Sequence, residues 1–244
     1  MTGIANRRAI GGGDARRPRT HWLERTGCLC FGPDDRADAE APPPLILFLH
    51  GIGERGHGGD ELDRVAAWGL PKLRRRGEPR LAGGFPFLVV APQCPPDRTW
   101  CDTDILAALD RLVDGLVDGG RADPSRLYLT GFSMGGIGAF CLALRNPARF
   151  AAVATVCGRC PTPDVLPVLA TRPLWVAFAA DDEIAELAAG SRHVVETLAG
   201  SPLLATRVYR LGWQDGLGPH VRTADQAYAE PDLYSWFLAH VAGG

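Results

Sequence analysis

The chain has 244 residues, 46% of them apolar, with 26 basic and 28 acidic residues and a formal net charge of −2. That apolar share is enough for a sizeable core and excludes a globally disordered chain. The absence of a basic excess argues against nucleic acid and membrane surfaces as partners. Only one basic residue, Lys72, is a lysine, and its "GLPKLRRRG" setting gives no support to Schiff-base chemistry.

Residues 1–20 are rich in Gly and Arg and read as a flexible N-terminal extension; residues 21–244 read as a single domain. No apolar run of signal-peptide or membrane-spanning length occurs. The expectation is therefore a cytoplasmic protein with mostly reduced thiols, despite seven cysteines. Cys157 and Cys160 form a lone CxxC; with no second pair, they read as ordinary buried or rim cysteines.

In chain order, "TGCLCF" (26–31) reads as an early strand and "GPDDRADAEAPPP" (32–44) as turn chemistry. "LILFLH" (45–50) is a continuous apolar run, as expected of a strand buried on both faces. "GIGERGHGGDE" follows as a glycine loop, and "FPFLVVAPQ" (85–93) ends in a second buried strand. Residues 102–119 show helical spacing with Asp102 as the cap. "RLYLT" (126–130) predicts a third strand, followed by a helix that "RNP" stops at 145–147. Further strands are predicted at 151–157, 173–180 and 205–211, and helices over "SRHVVETLAG" and "PDLYSWFLAHV". This alternation predicts an α/β fold with a mostly parallel central sheet, helices on both faces and no large lid domain.

Gly131-Phe132-Ser133-Met134-Gly135 is G-x-S-x-G between a predicted strand and a predicted helix, the setting a nucleophile elbow requires. A serine hydroxyl needs a base, and in this chain order the acid and then the histidine follow the serine. Of His193, His220 and His240, only His220 lies in a glycine-rich loop after the last strand; His193 reads as exposed helix surface. The acid should follow a strand end. Asp182 is the choice and Asp181 the close alternative, with helix capping the competing role for either. For the oxyanion, the backbone N–H of Met134 is one donor and that of Ile52, in the loop after "LILFLH", the other. His50 reads as loop-shaping, and Glu54 and Arg55 as an ion pair or part of the pocket mouth. Trp100 and Trp213 are open between lining a pocket and packing.

"LILFLHGIGERG", "FLVVAPQCP" followed by Trp100, "RLYLTGFSMGGIGAF" and "AYAEPDLYSWFLAH" together resemble α/β-hydrolases of the phospholipase/carboxylesterase and predicted-peptidase group. They are also similar to polyhydroxybutyrate-depolymerase-type and feruloyl-esterase-type enzymes. The resemblance spans about Leu45 to His240. It implies a serine hydrolase with Ser133, His220 and Asp182 as triad and Ile52 and Met134 as oxyanion donors. The implied substrate is a small or medium carboxylic ester, with no metal or organic cofactor. A serine peptidase and a catalytically silent binding protein are the alternatives. Two departures stand out: no His-Gly precedes the acid, and Thr223 stands where the family often has Trp.

Overall fold

The computed structural model describes residues 26–34 and 41–242; the expected extension at 1–20 lies outside them. Seven strands form one sheet: β1 (Cys28–Phe31), β2 (Leu45–Leu49), β3 (Leu88–Pro92), β4 (Leu127–Phe132), β5 (Ala152–Val156), β6 (Leu174–Ala179) and β7 (Leu204–Tyr209). Their order across the sheet is β1-β3-β2-β4-β5-β6-β7. All neighbours are parallel except β1, which runs antiparallel to β3 at one edge.

Sequence and position agree. Strands β2 to β6 are buried at every residue, as continuous apolar runs must be when helices cover both faces. Edge strand β1 alternates instead: Leu29 and Phe31 face the core and Cys28 and Cys30 are half-buried. The register that places Leu49 beside Gly131 in the β2–β4 pair brings the ends of these two central strands level.

Six α-helices occur among the described residues: α1 (Gly69–Arg75), α2 (Thr103–Asp118), α3 (Met134–Arg145), α4 (Ala185–Thr197), α5 (Pro219–Ala229) and α6 (Pro231–Leu238). None is long and apolar enough to cross a membrane. Helix α3 is buried on nearly all sides, which fits a central position. The C-terminal helix α6 is anchored by aromatic packing. Tyr234 meets Phe85 edge-on with centroids 5.3 Å apart, and Phe237 meets Tyr128 at 4.9 Å. The Tyr128 hydroxyl donates to the His240 carbonyl at 3.0 Å, so His240 is held by its backbone.

Three expectations change. Asp102 stands at the first position before α2, but its carboxylate bonds Thr99 Oγ1 (2.7 Å) and Arg98 Nε (2.6 Å) and caps no helix amide. The loop expected around His220 ends earlier, because Pro219, with its φ fixed near the helical value, starts α5 there. Finally, Cys101 and Cys141 form a disulfide, whereas the other five cysteines are free. The β3–α2 connection lays Cys101 against α3 with a Cα–Cα distance of 5.5 Å, within bridging range. A spacing of 40 residues gives no sequence sign of this pairing.

Closing a loop of that length is worth about 4 kcal/mol in the chain-entropy account. Replacing Cys101 by Ser should lower the Tm by roughly 10 °C for a chain this size. Reductant should bring the wild type down to the variant's Tm and leave the variant unchanged, as read by scanning calorimetry.

Candidate active site

The carboxyl ends of β2, β4 and β6 and the start of α5 converge on one place. Ser133 sits between β4 and α3 with φ 56° and ψ −118°, a left-handed value that a non-glycine residue adopts only when its surroundings enforce it. The surroundings are visible. A Cβ on Gly131 would stand 2.2 Å from the Gly135 carbonyl oxygen, and one on Gly135 would stand 1.8 Å from that of Leu49. Only glycine permits the turn to be this tight. The Ser133 amide donates to the Val156 carbonyl at 2.9 Å, and its carbonyl accepts from the Ile137 amide at 3.0 Å.

His220 is the second residue of α5 and is buried. Its Nε2 lies 2.9 Å from Ser133 Oγ and its Nδ1 lies 2.7 Å from Asp182 Oδ2. Phe132 packs on the imidazole with centroids 4.9 Å apart. The structure thus brings Ser133, His220 and Asp182 together in one hydrogen-bonded line. His193 is exposed on α4, its ring near Thr197.

The three consecutive acids after β6 have three different partners. Asp181 accepts from the amides of Gly212 (2.9 Å) and Leu211 (3.4 Å). The Gly212 amide holds its carboxyl below the usual range. Asp182 meets His220 through Oδ2 while Oδ1 accepts from the Ile184 amide at 2.8 Å, just before α4. Its second oxygen therefore braces the turn that leads into α4 and caps no amide of that helix. Glu183, which sequence reasoning passed over, accepts from the His220 backbone amide at 2.9 Å. It fills the space at Gly218, where a Cβ would lie 2.0 Å from its Oε1. The first turn of α5 thereby gains an acidic partner.

The loop after β2 is held by His50, in the loop-shaping role expected of it, and by Trp100 and Gln93. The His50 ring accepts the Cys94 amide at Nε2 (2.9 Å), and Nδ1 donates to the Gly51 carbonyl (2.6 Å). These contacts fix the neutral tautomer, and burial pushes its pKa down to about 4. Trp100 is fully buried and donates Nε1 to the His50 carbonyl at 2.8 Å, so it packs under the loop. Gln93 spans the loop's far side, donating to the carbonyls of Glu54 (3.0 Å) and Glu61 (2.7 Å) and accepting from the Gly58 amide (2.9 Å). Ile52 opens a short 3-10 helix, Ile52–Glu54, and Met134 opens α3. Amides at such positions have no preceding carbonyl of their own helix to bond. Arg55 donates to the carbonyls of Ile52 (3.2 Å) and Arg98 (3.3 Å) rather than to Glu54. Trp213 is 68% exposed on the hairpin that precedes Gly218.

Cys157, Asp182 and His220 offer three ligand-type atoms within 4.8 Å of one another. Two of these groups are spent on each other, which suits a proton relay better than a cation. A separate cleft of about 380 Å³ lies between α1 and α5, lined among others by Leu73, Arg76, Leu217 and Arg222. It includes none of Ser133, Asp182 and His220.

Glu54 is buried, and desolvation raises its pKa from 4.5 to about 7 against the opposing Gly51 amide and His220. The folded state then holds a proton that the unfolded chain releases above pH 4.5. Stability from this group is full below about 4.5 and is lost as pH rises to about 7, by on the order of 3 kcal/mol. Glu54→Gln should flatten that part of the stability–pH profile, measured by denaturant titration between pH 4.5 and 8.

The family model Esterase, described as "Putative esterase", matches residues 82–198. That span takes in Ser133 and Asp182 and stops before His220. "Putative esterase NocK" of Nocardia uniformis subsp. tsuyamanensis is 34% identical over 127 residues, 49% of this chain and 34% of that protein. The chain thus spans about a third of the length of the curated relative it matches. A thermostable esterase of known crystal structure superposes with a TM-score of 0.68 at 28% identity, over 88% of this chain and 59% of that one. A ferulic acid esterase superposes with a TM-score of 0.59 at 16% identity over 82% and 88% of the two chains, a likeness of fold alone. Sheet order and these likenesses together give the chain the α/β-hydrolase fold.

Proposed function

We propose that the chain is a serine hydrolase that cleaves a small or medium carboxylic ester through an acyl-enzyme. The observation that carries this reading is the unbroken line from Ser133 Oγ through the His220 ring to Asp182, at 2.9 and 2.7 Å, beginning at a serine held in strained backbone geometry. The esterase match supports it.

In this mechanism His220 Nε2 takes the hydroxyl proton as Ser133 Oγ attacks the ester carbonyl. Asp182 keeps the Nδ1–H tautomer in place and stabilises the imidazolium that forms. The amides of Ile52 and Met134 receive the oxyanion, aided by the positive end of α3. His220 returns the proton to the leaving alcohol. Water then repeats the cycle with the acyl carbon as target, and the acid product leaves with Ser133 restored. Two oxyanion donors would each contribute about 3 kcal/mol to this step.

Hydrolysis of p-nitrophenyl acetate, butyrate and octanoate tests the proposal. Ser133→Ala should lower kcat by at least about 1,000-fold and abolish fluorophosphonate labelling. Asp182→Asn should cost roughly 10,000-fold and Asp181→Asn less than about tenfold. Labelling of the wild type without ester turnover would redirect the search to peptides; neither labelling nor turnover in the folded wild type would overturn the reading.

A further inference from the structure

Cys157 lies immediately after β5, is fully buried, and has φ 49°. A left-handed residue here costs free energy, and nothing in the serine–histidine line accounts for it. The backbone turn directs the side chain at the triad acid. Its Sγ, a carboxylate oxygen of Asp182 and a ring nitrogen of His220 lie within 4.8 Å of one another. The Cys157 amide is held by the Ala177 carbonyl at 2.8 Å, so the strained residue is anchored to the next strand.

We propose that the Cys157 thiol is a positioning residue of the triad: its S–H donates to the Asp182 carboxylate and helps fix the oxygen that faces His220. The inference rests on the triad reading above. The Ala179 amide is placed to donate to the sulfur, and the Thr223 hydroxyl oxygen lies against it. The Thr223 proton is committed to the Pro219 carbonyl at 2.8 Å, so its lone pairs face outward. As placed, the thiol points to the His220 carbonyl at 4.0 Å, the far limit for sulfur, with the Asp182 carboxylate within 4.8 Å as the competing acceptor. An ionised carboxylate is the stronger acceptor of the two. Burial and the charge of Asp182 push the thiol well above its ordinary range, so it stays protonated and able to donate throughout the working range. In this arrangement the thiol, within 4.8 Å of the carboxylate, joins the Ile184 amide and His220 Nδ1 as a third donor to Asp182.

A cysteine that merely fills space predicts a different response from one that donates. Cys157→Ala and Cys157→Ser should be compared with the wild type for kcat and KM on p-nitrophenyl butyrate, with active sites counted by fluorophosphonate titration so that misfolded protein is excluded. The proposal expects Ala to lower kcat per labelled site by roughly 10- to 100-fold with KM within about twofold, the size of one lost bond to a charged acceptor. Ser, which keeps a donor, should restore kcat to within about threefold. The downfield proton resonance of His220 Nδ1–H should move in Ala and return in Ser. Equal kcat in Ala and wild type, or equal losses in Ala and Ser with an unmoved resonance, would overturn the positioning role and leave the triad standing. A wild type with no Ser133-dependent turnover or labelling would instead remove the triad reading and this inference with it.

Discussion

The contact between the Gly135 backbone and the Leu49 carbonyl is the constraint on which the rest of the site depends. A single added carbon there would sit 1.8 Å from an oxygen, so the first turn of α3 presses directly on the end of β2. That approach goes with the left-handed geometry of Ser133 and sets Gly135 against His50, where the loop that carries Ile52 begins. A strained residue of this kind costs about 1–3 kcal/mol. The cost is met by the buried surface of α3 and by the fully paired strands beneath it.

Backbone amides, more than opposite charges, organise the polar parts around that elbow. Asp181, Asp182 and Glu183 each end on one or more main-chain N–H groups. Of the three only Asp182 is buried; a buried carboxylate needs such donors, and the Ile184 amide supplies one without bringing a second charge into the core. On the opposite side, neutral His50, Trp100 and Gln93 hold the β2 loop by the same means. The site is stiff because its supports are main chain, which suits an oxyanion hole that works by being preorganised.

Much of this was legible in the sequence, for identifiable reasons. Strands buried on both faces write themselves as unbroken apolar runs, so "LILFL" and "AVATV" needed no partner to be read. The elbow was legible because two glycines at fixed spacing are a steric necessity. Chain order then narrowed the histidine to His220, and the strand end narrowed the acid to two neighbours. What separated Asp182 from Asp181 was not legible: it depends on which carboxylate faces α5 and which faces the 211–212 amides, a matter of a few ångströms of tertiary placement. Glu183 and Gln93 were missed for the same reason, since each bonds main-chain groups that only folding brings near. The first turn of α5 read as loop because Gly212, Gly216 and Gly218 crowd the residues just before it, although Pro219 is itself a helix-start signal. The Cys101–Cys141 bridge left no trace in spacing at all.

The account's central claim is that the elbow presents Ser133 between two backbone donors, and the structure of a covalent phosphonate adduct tests it most directly. The account predicts phosphorus bonded to Ser133 Oγ, with its unesterified oxygen within about 3.1 Å of both the Ile52 and Met134 nitrogens. An adduct on another residue, or a Ser133 adduct whose oxygen faces away from those two amides, would contradict it.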